Sequence, residues 1–162
     1  MKKLISLILL ILLQSCIFLG GEREPEELSN YTPVFLNRAE FENSVILLNT
    51  TNIGNAGKIY VFNDNLFINE KNGGFHVYDN SNTTNPIPLK FINAPGATDM
   101  AIKNNTMYIN QARDLIAVEL SANMQSLTVT KRIRNVFPDM ISPDGFYANI
   151  PEGQVLVNWI QN

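Results

Sequence analysis

From Tyr31 onward the hydrophobic positions fall in short bursts, each bounded by Asn, Asp, Gly or Pro. The clearest are 58–62 (KIYVF), 66–69 (LFIN), 75–78 (FHVY), 89–92 (LKFI), 107–110 (MYIN), 115–118 (LIAV) and 127–134 (LTVTKRIR). β-Branched and aromatic residues are frequent in them, and turn formers lie between them at roughly ten-residue spacing. That is the pattern of a mainly β, antiparallel fold. Asn63-Asp64-Asn65 and Asn104-Asn105 suit tight hairpin turns, because Asn and Asp tolerate positive φ. Upstream, 37–48 (NRAEFENSVILL) sets Phe41, Val45 and Leu48 at helical spacing, which predicts a short helix or a helical turn, and the Asn/Thr/Gly-rich stretch 50–57 predicts a loop.

The bursts repeat. Asn63, Leu66, Phe67, Ile68 and Asn69 fall on Asn104, Met107, Tyr108, Ile109 and Asn110, forty-one residues later. Gly74 to Ser81 falls on Asp114 to Ser121, forty residues later. A period of about 40 with four short strands per unit is the signature of propeller blades. Phe75 to Ser81 and Leu115 to Ser121 resemble degenerate copies of the LVIVD repeat. The longer stretch Gly57 to Leu120 resembles the LVIVD-type lipoproteins of Bacteroidetes, with a weaker likeness through Arg132 to Pro138 and Val155 to Trp159. This resemblance implies β-propeller-like blades and a cell-envelope location, and it brings no catalytic residues. The repeats lie near 57–97 and 98–135 within a β-repeat domain 31–162. That leaves room for two units and part of a third, so the expectation is a partial or shortened β-propeller. Unclosed blades leave strand edges exposed unless something pairs with them, so a homo-oligomer is a physical expectation.

The first residues carry a different pattern. Met1-Lys2-Lys3 is basic, Leu4 to Leu13 is apolar except for Ser6, and Leu13-Gln14-Ser15-Cys16 follows. The order basic, apolar, small before a cut is that of a secretory signal, here 1–15. The tetrapeptide resembles the lipobox of bacterial lipoproteins, with Cys16 as the lipid-bearing residue. Cys16 is the one cysteine of the chain, so it has no internal disulfide partner. A thioether-linked diacylglycerol plus an N-acyl group such as palmitate would anchor it stably. The expected partner is therefore the membrane through a lipid anchor, and the expected location is the outer membrane of a Gram-negative envelope. Residues 16–30, rich in Glu with Pro25 and two glycines, read as the lipidated cysteine and an acidic tether.

Charge narrows the function further. Without residues 1–15 the chain keeps ten of its twelve basic residues and all fifteen acidic ones, a net charge of −5. That excludes the basic footprint of nucleic-acid binding. Candidate chemistry is sparse. His76 is the single histidine, and strand alternation sets it on the face opposite Phe75 and Val77, the place of a surface or cross-strand packing residue. No His/Cys set has zinc spacing, and no phosphate loop or nucleophile elbow is present. Asp79-Asn80-Ser81-Asn82-Thr83 clusters oxygens but lacks the glycine and distal glutamate of a calcium loop, and Asx turns explain it. Tyr60, Phe62, Tyr78 and Tyr108 read as core residues or, alternatively, as an aromatic platform for an envelope protein or glycan. The sequence thus predicts a binding or assembly module with no enzymatic activity, cofactor or metal. One alternative is a hydrolase or carbohydrate-processing accessory with Asp139 and Asp144 near His76. A second is a relic of a longer propeller.

Overall fold

The computed structural model describes residues 29–162; residues 1–15 and Cys16 lie outside that range. Of the described residues, 53% are in strands and 4% in helix. The elements are β1 (Tyr31–Asn37), α1 (Arg38–Asn43), β2 (Ile46–Leu48), β3 (Ala56–Phe62), β4 (Asn65–Glu70), β5 (Gly74–Asp79), β6 (Ile87–Asn93), β7 (Ala97–Lys103), β8 (Thr106–Gln111), β9 (Asp114–Leu120), β10 (Leu127–Ile133) and β11 (Gln154–Gln161). They form three antiparallel sheets: five strands in the order β2-β6-β5-β4-β3, four in the order β10-β9-β8-β7, and the pair β1-β11. The described residues contain no closed barrel or propeller.

The expected bursts all lie on strands. Four strands go beyond them: β1, β2, β7 and β11. The predicted helix is shorter than its spacing suggests, because Ile46 to Leu48 leave it to pair with Asn93 to Phe91 of β6. Phe41 and Val45 are buried as the spacing requires, whereas Leu48 is on a strand and exposed. Loop positions follow local backbone chemistry. Asn63, Asn104 and Asn105 have φ of 51°, 50° and 66°, and both β3–β4 and β7–β8 turn on two residues. Gly74 opens β5 at φ 141°, where a Cβ would lie 2.0 Å from the Ile92 carbonyl oxygen, so only glycine fits.

The two large sheets pack face to face. Phe67, Phe75, Val77 and Ile92 of the five-stranded sheet meet Met100, Met107, Ile109, Ile116 and Val118 of the four-stranded sheet in one buried cluster. Tyr60 and Phe62 pack against it, so these two aromatics belong to the core and not to a surface platform. A smaller cluster of Phe41, Val155, Val157 and Ala112 holds α1 and β11 to the β8–β9 turn. There the Asp114 carboxylate, fully buried, accepts hydrogen bonds from Arg38 at 2.6 Å, Arg132 at 2.9 Å and the Asn135 amide. Both guanidiniums also lie over the Phe41 ring, at 5.4 and 5.1 Å from its centroid. A buried carboxylate is tolerated only when its lone pairs are filled this completely.

Strand boundaries keep a strict offset. β3 and β4 recur as β7 and β8 forty-one residues later, and β5 and β6 recur as β9 and β10 about forty later. The backbone bonds at the junctions recur too. Lys71 N–H donates to Asn55 C=O, and Ala112 N–H donates to Gly96 C=O. Gly96 N–H donates to Asn72 C=O, and Phe137 N–H donates to Arg113 C=O. Each pair is separated by forty-one residues. Phe137 therefore makes the bond that Gly96 makes forty-one residues earlier, but 138–150 then runs without a strand before β11 returns to β1.

Candidate functional site

Offset and facing together define the surfaces that remain open. Phe67 of β4 is buried between the sheets, while Tyr108, forty-one residues on, points away from them and is 39% exposed. Ile68 shows the reverse: it lies on the outer side of the five-stranded sheet, and its counterpart Ile109 is buried between the sheets. With the side that carries Phe67 or Tyr108 called the front of its sheet, the front of the five-stranded sheet packs on the back of the four-stranded one. Two faces are left over, the back of the five-stranded sheet and the front of the four-stranded one.

The back face is apolar. Cross-strand rows align Ile59, Ile68, His76, Phe91 and Leu48, and next to them Val61, Leu66, Tyr78 and Pro88. Ile59 and Val61 are 63% and 64% exposed. They sit on β3, whose outer edge pairs with no strand among the described residues. A segment of the chain guards one end of this face. From Asn49 to Asn55 it runs from β2 at one edge of the sheet to β3 at the other, and Glu70 accepts hydrogen bonds from the Gly54 amide at 2.9 Å and from the Asn55 amide. His76 Nε2 is 3.0 Å from the same carboxylate, and its ring lies against Phe91 with centroids 4.8 Å apart. Burial alone would raise the Glu70 pKa, yet the Gly54 amide, His76 and the Asn55 amide together hold it below the ordinary value. His76 is buried on the face opposite Phe75 and Val77, as strand alternation predicts, and acts as a cross-strand packing and strap-holding residue.

The front face carries Ala101, Tyr108 and Ala117 in one row, with Asp99, Asn110, Leu115 and Ile133 in the next. The segment Phe137 to Tyr147 stands off from this face, leaving a groove of about 560 Å³ lined by Asn110, Thr98, Phe137, Asp139 and Tyr147 among others. Asn110 Oδ1 is buried with no hydrogen-bond partner among the described residues. Asn69, forty-one residues earlier, donates from its Nδ2 to the Gly74 carbonyl at 3.0 Å and reaches the Ala97 carbonyl of the four-stranded sheet at 3.4 Å. At the inner edges Lys58 and Tyr60 both bond the Asp99 carboxylate. Burial and the bond to Asp99 push the Tyr60 phenol up to about 12.

The remaining sequence candidates fall apart from one another. Asp139 is 3.6 Å from Arg113. Asp144 accepts from the Ser29 hydroxyl, the Asn30 amide and the Ser142 hydroxyl, tying the start of β1 to the 142–146 turn. Neither shares a partner with His76, so the carboxylates of the accessory-hydrolase alternative do not assemble with it. Asp79 accepts the Ser81 amide and Asn82 accepts the Thr84 amide, so the 79–84 oxygens are engaged in Asx turns. Among the described residues, no three His, Cys, Asp or Glu side chains gather to hold a metal, and no helix is long and apolar enough to cross a membrane. Sequence reasoning missed Glu70, Asp114 and Asn110. For Asn110 the signal was present in its repeat relation to Asn69. For Asp114 it was absent, because its partners are distant in the chain. No family model, curated protein or solved structure matches the chain.

Proposed function

We propose that the chain is a cell-envelope lipoprotein, anchored through Cys16, whose β domain is a partial propeller of two units that works as a binding or assembly module without catalysis. One observation carries the two-unit part of this reading: Phe67 is covered between the sheets and Tyr108, forty-one residues on, is exposed, so each unit has a front and a back, and one front and one back remain unmatched. In a sandwich of two symmetry-related sheets, Phe67 and Tyr108 would both be buried. Successive blades around an axis give the observed alternation instead. An apolar sheet face beside an unpaired strand edge is the usual mark of a surface that meets another protein.

Two measurements test it. The full chain expressed in a Gram-negative host should incorporate labelled palmitate and fractionate with membranes, and Cys16→Ala should lose both. A photo-reactive amino acid placed at Val61 should cross-link to protein, while one placed at exposed Ser81, on the turn between β5 and β6, should not. Absence of the label, or equal cross-linking from both positions, contradicts the proposal.

A further inference from the structure

Three exposed apolar residues of the two open faces, Ile59, Val61 and Tyr108, have counterparts forty-one residues away that are covered inside the molecule. Ile59 of the back face corresponds to Met100, and Val61 to Ile102; both counterparts lie in the contact between the sheets, Met100 at 5% exposure. Tyr108 of the front face corresponds to Phe67, covered in the same contact at 3% exposure. The open back and the open front are therefore the two halves of an interface that this chain has already built once. The polar groups agree. Asn69 of the first unit reaches the Ala97 carbonyl of the second. Asn110, its counterpart, makes no such bond from its Nδ2 among the described residues, and the residue corresponding to Ala97 forty-one positions earlier is Ala56, on the exposed edge of β3.

Charge is complementary in the same register. Lys58 of the first unit pairs with Asp99 of the second, and Asp99 is itself the counterpart of Lys58. Front against back therefore brings Asp99 of one copy to Lys58 of the next, opposite charges and not like ones. The strap Asn49–Asn55 is held at the Glu70 end of the back face, and beyond it Ile59 and Val61 stay well exposed.

We propose, resting on the two-unit reading above, that the occupant of both faces is a second copy of this chain, packed head to tail with its back face on the neighbour's front face. Such a contact is heterologous: it closes into a ring where the rotation permits and otherwise continues as a filament. Two copies of two units supply roughly the four sheets of the smallest propellers.

The register supplies the test. Ala101 is the counterpart of Tyr60, whose hydroxyl meets Asp99, so Ala101 of one copy should face Lys58 of the next. Membranes carrying full-length Ala101→Cys and full-length Lys58→Cys under separate tags are treated with a short bis-maleimide. The pair Asn110→Cys and Ala56→Cys is treated in parallel, and protease resistance equal to wild type shows that each variant is folded. The proposal expects a mixed product in each pair, little from any variant alone or from wild type, and loss of the mixed product when Val61→Lys is added to the Lys58→Cys copy. Self-cross-linking of a single variant as strong as the mixture would mean a symmetric contact and overturns the proposal, as does absence of mixed product in both pairs. A product joining Lys58→Cys to a different protein, with no mixed product, overturns self-assembly while leaving the binding-module reading standing.

Discussion

At the residue scale the strongest commitments are polar groups that are buried and fully paired. Asp114 has no exposed surface and receives Arg38, Arg132 and the Asn135 amide. Asp114→Ala removes the carboxylate that Arg38 and Arg132 share, leaving Arg38 only its 3.5 Å pair with Glu42, and should cost about 3–5 kcal/mol, read as a lower denaturant midpoint in urea unfolding. Gly74→Ala places a methyl against the Ile92 carbonyl at a backbone angle that side chains avoid. It should cost on the order of 3 kcal/mol or more by the same measurement. Tyr60 makes a pH prediction. Its neutral form is favoured in the folded state, with the pKa raised from 10.0 to about 12. Its contribution to stability is therefore complete below its unfolded pKa and lost as pH rises between the two values. Ultraviolet titration should show one tyrosine ionising late, and Tyr60→Phe should remove the late step. Tyr60 is legible in the sequence as a core candidate, but Asp114 is not, because an acid at the start of a strand looks like a solvated end until its distant partners are known.

At the element scale, local chemistry and long-range pairing divide cleanly. The strands rich in β-branched and aromatic residues were legible, as were the Asn turns and the burial of Phe41. β7 (ATDMAIK) was not, since Ala, Asp, Met and Lys are poor strand signals. Its place is set by Asn72, Asn69 and the Gly96 junction. β1 and β11 were illegible for another reason. They pair from opposite ends of the chain, and no local pattern announces that. The strap Asn49–Asn55 is an element without secondary structure, held by Glu70. Because hydrogen bonds hold the Glu70 pKa below its ordinary value, its contribution is present above the unfolded carboxylate range and is lost as pH falls through the lower folded value. The Gly54 and Asn55 amides should then exchange faster in acid than neighbouring β4 amides, after correction for intrinsic rates. Glu70→Gln should reproduce that loosening at neutral pH, and unchanged protection in hydrogen-exchange measurements would contradict it.

At the scale of the whole molecule, strand boundaries and junction hydrogen bonds fall forty or forty-one residues apart, and the two-unit proposal rests on that offset together with the alternation of facing. The sequence alone could not show that last feature, because facing depends on how two sheets are placed and not on their individual patterns. Its consequence is a pair of unmatched, complementary faces. Ile59→Lys with Val61→Lys should leave the fold within about 0.5 kcal/mol, as exposed substitutions usually do, while removing self-association. The most direct measurement is sedimentation velocity of the full chain in density-matched detergent over a range of concentrations. The account predicts a multiple of the single-chain mass for the wild type and the mass of one chain for the Ile59→Lys, Val61→Lys variant. A single-chain mass for the wild type at every concentration would contradict it.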